Sequence, residues 1–227
     1  MPRGPQSKGH CAFCEREIAK SGVAKHLSAC AQWQAAVAKA EQKKSEKELL
    51  IHLRVQADGL PQFWLDLEMR GSATLKKLDQ YLRAIWLECC GHLSEFTAGS
   101  WSGPTVAMSR RAGNVFEPRT ELTHIYDFGT SSITRIRTVG FREGKPVSSH
   151  PITLLARNAM PASECMTCRQ PAAWLCMECV IEDGVWGTLC AEHAGEHPHR
   201  DYGDPVPLVN SPRVGMCGYT GPADPPY

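Results

Sequence analysis

Cysteine and histidine occur in this chain at spacings that bind metal ions. Near the N-terminus, Cys11, Cys14, His26 and Cys30 read Cys-x2-Cys-x11-His-x3-Cys. Two closely spaced pairs supply the four soft or borderline ligands that a tetrahedral zinc ion takes. The spacing puts the first pair on a tight turn and the second on one face of a helix, at i and i+4. Toward the C-terminus, Cys165-x2-Cys168-x7-Cys176-x2-Cys179-x10-Cys190-x2-His193 is followed by His197, His199 and Cys217. Seven residues between the first two pairs leave little chain to span a single four-cysteine site. An interleaved arrangement relieves that strain, with Cys165, Cys168, Cys190 and His193 on one zinc. Cys176, Cys179, a late histidine and Cys217 then take another. His193 and His197 are i, i+4, and Pro198 tends to end such a helix, so His199 is expected to be the late ligand, with His197 the alternative. Three zinc ions are expected in all. Cys89 lies on the apolar stripe of a helix, and neither it nor Cys90 is expected to be a ligand.

These ligands divide the chain. Residues 1–32 make the finger, 33–48 a charged helical linker, 49–157 a cysteine-poor centre, and 158–227 the two-zinc module. In the centre, Ile51, Leu53, Val55 and Ala57 alternate with polar residues, as do Phe63, Leu65, Leu67 and Met69 beyond Gly59-Leu60-Pro61. Two period-2 runs across a Gly/Pro turn predict a hairpin. Leu75, Leu78, Leu82, Ile85 and Cys89 then recur at helical spacing, with Gly91 as the stop. Further strands are expected at 105–109, 122–128, 132–139 and 152–157, and a long surface loop over 97–121. The pattern is α+β, one helix on a face of a mixed sheet. This centre has apolar residues enough to fold without metal, whereas the ends have too few for a core.

Three resemblances follow from these motifs. The finger resembles the ββα zinc-finger family in a Cys-Cys-His-Cys variant with an inter-pair loop one residue short. The helix followed by Cys90-Gly91-His92-Leu93-Ser94-Glu95-Phe96 and later Ile125-Tyr126-Asp127-Phe128-Gly129 is similar to the plasmid pRiA Orf-three-like domain, over about residues 49–157. Cys90 precedes Gly91 where that family's Trp follows the Gly, while Thr130 and Ser132 replace its second Asp and second Trp. The resemblance implies a β-grasp-like fold, an association with mobile elements and no agreed activity. The C-terminal arrangement resembles cross-brace modules of the B-box and RING type, from which the late Cys217 departs.

Charge bears on partners. Residues 1–50 carry nine basic and five acidic side chains, and residues 158–227 carry three and nine. The formal net charge of +1 excludes a uniformly basic histone-like or ribosomal binder. The acidic module should repel phosphate and contact protein instead, with Trp174 and Trp186 as candidate contacts. The basic head is expected to touch nucleic acid weakly at most, because Ala24, Lys25, Leu27, Ser28 and Ala29 offer little base readout. The leading expectation is therefore a non-catalytic zinc-binding adaptor. A metal-dependent nuclease-like enzyme built on His92, Glu95, His124 and Asp127 is the alternative, and a structural zinc protein without a stable partner is a third. No phosphate loop, dinucleotide fingerprint or Gly-x-Ser-x-Gly occurs. Met1 to Gln6 hold no apolar leader, and a cytoplasmic location is expected.

Overall fold

The computed structural model describes residues 7–227; the leader reading of Met1 to Gln6 lies outside them. In chain order the elements are β1 (Lys8–Cys11), β2 (Glu17–Ala19), α1 (Val23–Ala29), α2 (Ala31–Glu41), β3 (Glu48–Ala57), β4 (Trp64–Arg70) and α3 (Leu75–Leu82). Then come β5 (Ser94–Ala98), β6 (Thr105–Val106), β7 (Glu121–Tyr126), β8 (Ser132–Gly144) and β9 (Ile152–Asn158). The C-terminal part adds β10 (Trp174–Leu175), α4 (Met177–Ile181), β11 (Thr188–Leu189), α5 (Ala191–Glu196) and β12 (Val206–Pro207). The class is mixed α and β, dominated by a nine-stranded sheet ordered β2-β1-β9-β4-β3-β8-β7-β5-β6. Every described pairing is antiparallel, where a mixed sheet was expected. The strands are joined by hairpins and returns along the sheet, with no helical crossover between neighbours, and that connectivity makes neighbours antiparallel. A separate sheet runs β11-β10-β12.

Strand alternation builds two buried layers. On one face Ile51, Leu53, Val55, Leu65, Leu67 and Met69 meet Leu75, Leu78 and Leu82 of α3 in the main core. α3 passes into a π-helical turn, Arg83–Leu87, and does not run on as α-helix to Cys89. That turn buries Ile85, Trp86 and Leu87 in succession and leaves Cys89 half-buried at the core's edge. The expected surface loop over 97–121 is partly core: Ala112 and Phe116 are buried, and Ala112 N donates to Ala73 O at 2.7 Å. Strand β5, missed in the sequence, pairs β7 along its length.

The other face also disappears from solvent. Trp64 and Asp66 are fully buried and Glu68 nearly so. Covering them are Val23 and Leu27 of α1, with Leu155, Ala156 and Trp33 beside them. The charges beneath are paired. Arg54 grips Asp66 with Nε to Oδ2 at 2.9 Å and Nη2 to Oδ1 at 3.0 Å, and His52 Nε2 lies 2.5 Å from Oδ1. Arg142 donates two bonds to Glu68 at 2.6 and 2.7 Å and lies over the Trp33 ring. The finger is continuous with the sheet, since β1 pairs β9. A Cβ at Gly9 would lie 2.0 Å from Arg157 O and 2.7 Å from Trp64 Cζ2, so this strand approach admits glycine alone.

The chain beyond β12 returns to the centre. Asn158 Nδ2 donates to Asn210 Oδ1 at 2.6 Å, and Ser211 Oγ donates to Trp86 O at 2.6 Å. Fully buried Arg213 donates to Thr130 O, Ser132 Oγ and Asp127 Oδ2.

One buried cluster gives a pH expectation. His124 is wholly buried with Nε2 2.9 Å from Asp79 Oδ1, to which Ser94 Oγ also donates at 2.6 Å. Burial pushes the Asp79 carboxyl up, but the bonds from His124 and Ser94 outweigh it and hold its pKa below the ordinary 3.8. As pH falls, the unfolded chain takes up this proton first. The stabilisation is therefore complete above the ordinary carboxyl value and is lost as pH drops through the lower folded value. Urea midpoints of the wild type should fall across that acid range, and Asp79→Asn should flatten that part of the slope. An unchanged slope would remove Asp79 from the acid response.

Candidate metal centres

Among the described residues, four groups of Cys and His each bring their ligand atoms, one per residue, within 4.8 Å of one another. All eleven cysteines are free thiols, with no disulfide among the described residues. A tetrahedron with Zn–S of about 2.3 Å and Zn–N of about 2.0 Å has edges of roughly 3.3–3.8 Å, against which these groups can be compared.

The first holds Cys11, Cys14, His26 and Cys30, as the spacing predicts. Cys11 ends β1, and the turn after it closes with Glu15 N donating to Cys11 O at 2.9 Å. Glu15 takes a left-handed φ of 59° to let the turn double back. The backbone N–H of Arg16 favours the Cys14 thiolate and lowers its pKa, while burial raises that of Cys11. α1 places His26 with Nε2 3.3 Å from Cys14 Sγ.

The second group is Cys165, Cys168, Cys190 and His193, again as predicted. Its turn repeats the first: Arg169 N donates to Cys165 O at 2.9 Å, and Arg169 has φ 61°. Burial acts to raise the Cys165 thiol, yet backbone N–H groups of Cys190, Cys168 and Thr167 outweigh it and bring its pKa to about 6. Cys190 Sγ lies 3.1 Å from His193 Nδ1 and 3.8 Å from Cys168 Sγ, with His193 on α5.

The third group corrects the sequence reading. Cys176, Cys179 and His199 are joined by His197, not by Cys217. Cys179 Sγ is 3.2 Å from His197 Nε2 and 3.3 Å from His199 Nδ1. Pro198 supplies the reason: its ring disfavours helical backbone at the residue before it, and His197 leaves α5 at φ −63°, ψ 131°. That turn takes His197 away from the His193 group. His197 and His199 then reach the same thiolates with their rings 4.7 Å apart. The two C-terminal groups are interleaved along the chain, as expected. Burial, with the Cys176 thiol beside it, pushes Cys179 up to about 12, so metal uptake here must displace a proton.

Cys217 sits instead with Cys89, Cys90 and His92 in a fourth group. This placement brings Cys89 and Cys90, which the sequence set apart from any ligand group, beside His92 and Cys217. Cys89 packs half-buried against the main core, as its place on an apolar stripe implies, and its thiol still reaches this group. The vicinal thiols followed by Gly91-His92 were the sequence signal available.

The constellation considered for hydrolysis is not assembled. Glu95 pairs across from Ile125 and Phe96 across from His124, so Glu95 and His124 occupy opposite faces of the sheet. His124 is spent on Asp79, and Glu95 accepts from Thr105 Oγ1 at 3.2 Å. Only His92 and Asp127 meet, at 3.4 Å.

No helix among the described residues is long and apolar enough to cross a membrane. No protein-family model and no curated protein matches the chain. Among solved structures, the chain is similar to a crystal structure of a protein of unknown function from Methanosarcina mazei Go1, at 23% identity and a TM-score of 0.40. The match covers 49% of this chain and 71% of that one.

Proposed function

We propose that the protein is a zinc-binding, non-catalytic adaptor whose metal sites hold small binding surfaces in place. The observation that carries this reading is the completeness of three ligand sets: Cys3His twice and Cys2His2 once, each with four donors. Zinc closed by four protein ligands has no open position for substrate and is structural, whereas catalytic zinc keeps one position for water. Thiolate and imidazole donors favour zinc over hard cations such as magnesium.

The acidic C-terminal module is the surface for a protein partner. It exposes Trp186, Ile181 and Met166, while Trp174 packs into its small core. Trp186, Met166 and Arg169 line an open hollow of about 430 Å³ with Pro161 and Gln62. Nucleic-acid contact through residues 1–48 is the weaker part of the proposal. Lys8 pairs with Glu17, Lys20 binds Gln56, and Lys43 binds the Val147 carbonyl. Arg16, Lys25, Lys39 and Lys44 remain for phosphate. The resemblance of residues 49–157 supports a β-grasp-like reading of the central unit, with α3 across the β3–β4 hairpin, and an association with mobile elements through that family.

Affinity capture by the full chain, with zinc content measured on the same sample, tests the reading. At least three slowly exchanging zinc ions per chain are expected, with a partner retained by wild type and lost by Trp186→Ala. A partner set indifferent to Trp186→Ala and to chelation would leave a structural zinc protein. Anisotropy at low salt should show weak nucleic-acid binding that Lys25→Glu/Lys39→Glu removes. No binding at low salt would confine the finger to protein contact.

A further inference from the structure

We propose that Cys89, Cys90, His92 and Cys217 form a fourth, exchangeable site for a soft divalent ion of the zinc class, and that its occupancy fastens the returning C-terminal segment to the central sheet. This inference does not rest on the adaptor reading.

Geometry supports it first. Cys89 and Cys90 Sγ are 3.7 Å apart, Cys90 Sγ is 3.0 Å from His92 Nε2, and Cys217 completes the group within 4.8 Å. Three thiols and an imidazole are the donor set of the first two sites. The ligands come from two segments more than a hundred residues apart, so coincidence of local sequence does not explain their meeting.

The surroundings are also those of a built site. Arg213 Nε donates to Cys89 Sγ at 3.4 Å and Nη2 to Cys217 Sγ at 3.6 Å. Tyr126 Oη lies 3.7 Å from Cys89 Sγ; Asp127 Oδ2, 3.4 Å from His92 Nε2, shares that nitrogen with Cys90 Sγ and would give way to a bound ion. Such partners orient ligands and tune the ion they hold. Arg213 is the cation that touches the sulfurs and it pairs with Asp127 at 2.7 Å, so a divalent ion would offset the charge of the thiols it deprotonates on binding. Cys217 itself is held at φ 49°, ψ 34°, a left-handed conformation unfavourable for a residue with a Cβ. An observed outlier of this kind points to a functional constraint, here the aim of its thiol at Cys89 and Cys90.

Exposure separates this site from the others. Cys90 and Cys217 are exposed and Cys89 is half-buried, whereas each other group contains at least one buried cysteine. An ion here can be reached by a competing ligand without unfolding the protein. Binding would form metal–sulfur and metal–nitrogen bonds and release the thiol protons to solvent.

The test uses the full chain, reduced and oxygen-free, loaded with Zn²⁺ and desalted. Wild type should carry four ions per chain, one of which passes to a chromophoric chelator in a distinct fast phase. Cys90→Ser and Cys217→Ser should each carry three and lack that phase. Hydrogen exchange of residues 209–224 in wild type should quicken when the fast ion alone is withdrawn, a readout needing no variant. Three ions in fully reduced wild type, or a fast phase that survives Cys217→Ser, would overturn the proposal. Failure of the slow ions would instead count against the structural sites.

Discussion

Cys30→Ala should remove one metal ion and, with it, the cover over the outer face of the central sheet. Structural zinc contributes about 10–16 kcal/mol of apparent folding free energy in finger peptides. A unit whose buried apolar cluster is completed by Trp64, Leu155 and Ala156 of the sheet has little else to hold it. Losing the finger would expose Trp64 and Leu155, which are buried beneath it. At about 1.5–3 kcal/mol for each large apolar side chain, the sheet itself would lose about 3–6 kcal/mol. β9 would also become an edge strand, since β1 is its partner on that side. Hydrogen exchange in β4 and β9 should therefore accelerate together with the finger when Cys30 is replaced. The sequence alone suggests a centre indifferent to metal. Unchanged protection of β4 and β9 would restore that view.

Arg54→Met should strongly destabilise the sheet. The substitution keeps most of the buried stem but removes the fork that meets Asp66, whose side chain is 0% exposed. Breaking a buried ion pair by deleting one partner costs about 3–5 kcal/mol, because the other charge is left uncompensated. His52 remains 2.5 Å from the carboxylate and should keep one hydrogen-bond partner on it. Replacing both partners, as Arg54→Met/Asp66→Leu, should restore much of the stability, since paired apolar residues in such a site are often neutral or better. Urea unfolding of the two single variants and the double variant measures the coupling. A double variant as unstable as the sum of the singles would show that packing, not the pair, dominates there.

Local pattern in the sequence determined the elements that depend on near neighbours. Period-2 alternation placed the β3–β4 hairpin, and helical spacing placed α3, because strand and helix bury alternate or every third-to-fourth residue whatever lies opposite. The first two ligand groups were equally legible, since Cys-x2-Cys, His-x3-Cys and Cys-x2-His spacings bring donor atoms together within one turn. The interleaving of the C-terminal ligands followed from the short chain between Cys168 and Cys176.

What lay beyond the sequence was whatever a second segment supplies. Asp66, Glu68 and Arg54 alternate as a solvent face should, yet they lie buried because the finger docks on them, and an alternating pattern carries no mark of what will cover it. Cys89 packs at the edge of the main core as its spacing implies, but no local pattern shows that its thiol also faces Cys217. Cys217 could have joined any site its long approach allows, and sequence proximity favoured the C-terminal module. Tertiary structure decided otherwise: Ser211 and Arg213 anchor the returning chain at Trp86, Ser132 and Asp127, which carries Cys217 to Cys89, Cys90 and His92 and leaves His197 as the fourth member of the third Cys/His group. Contacts between distant segments are chosen by packing and charge pairing in three dimensions, and spacing along the chain does not encode them.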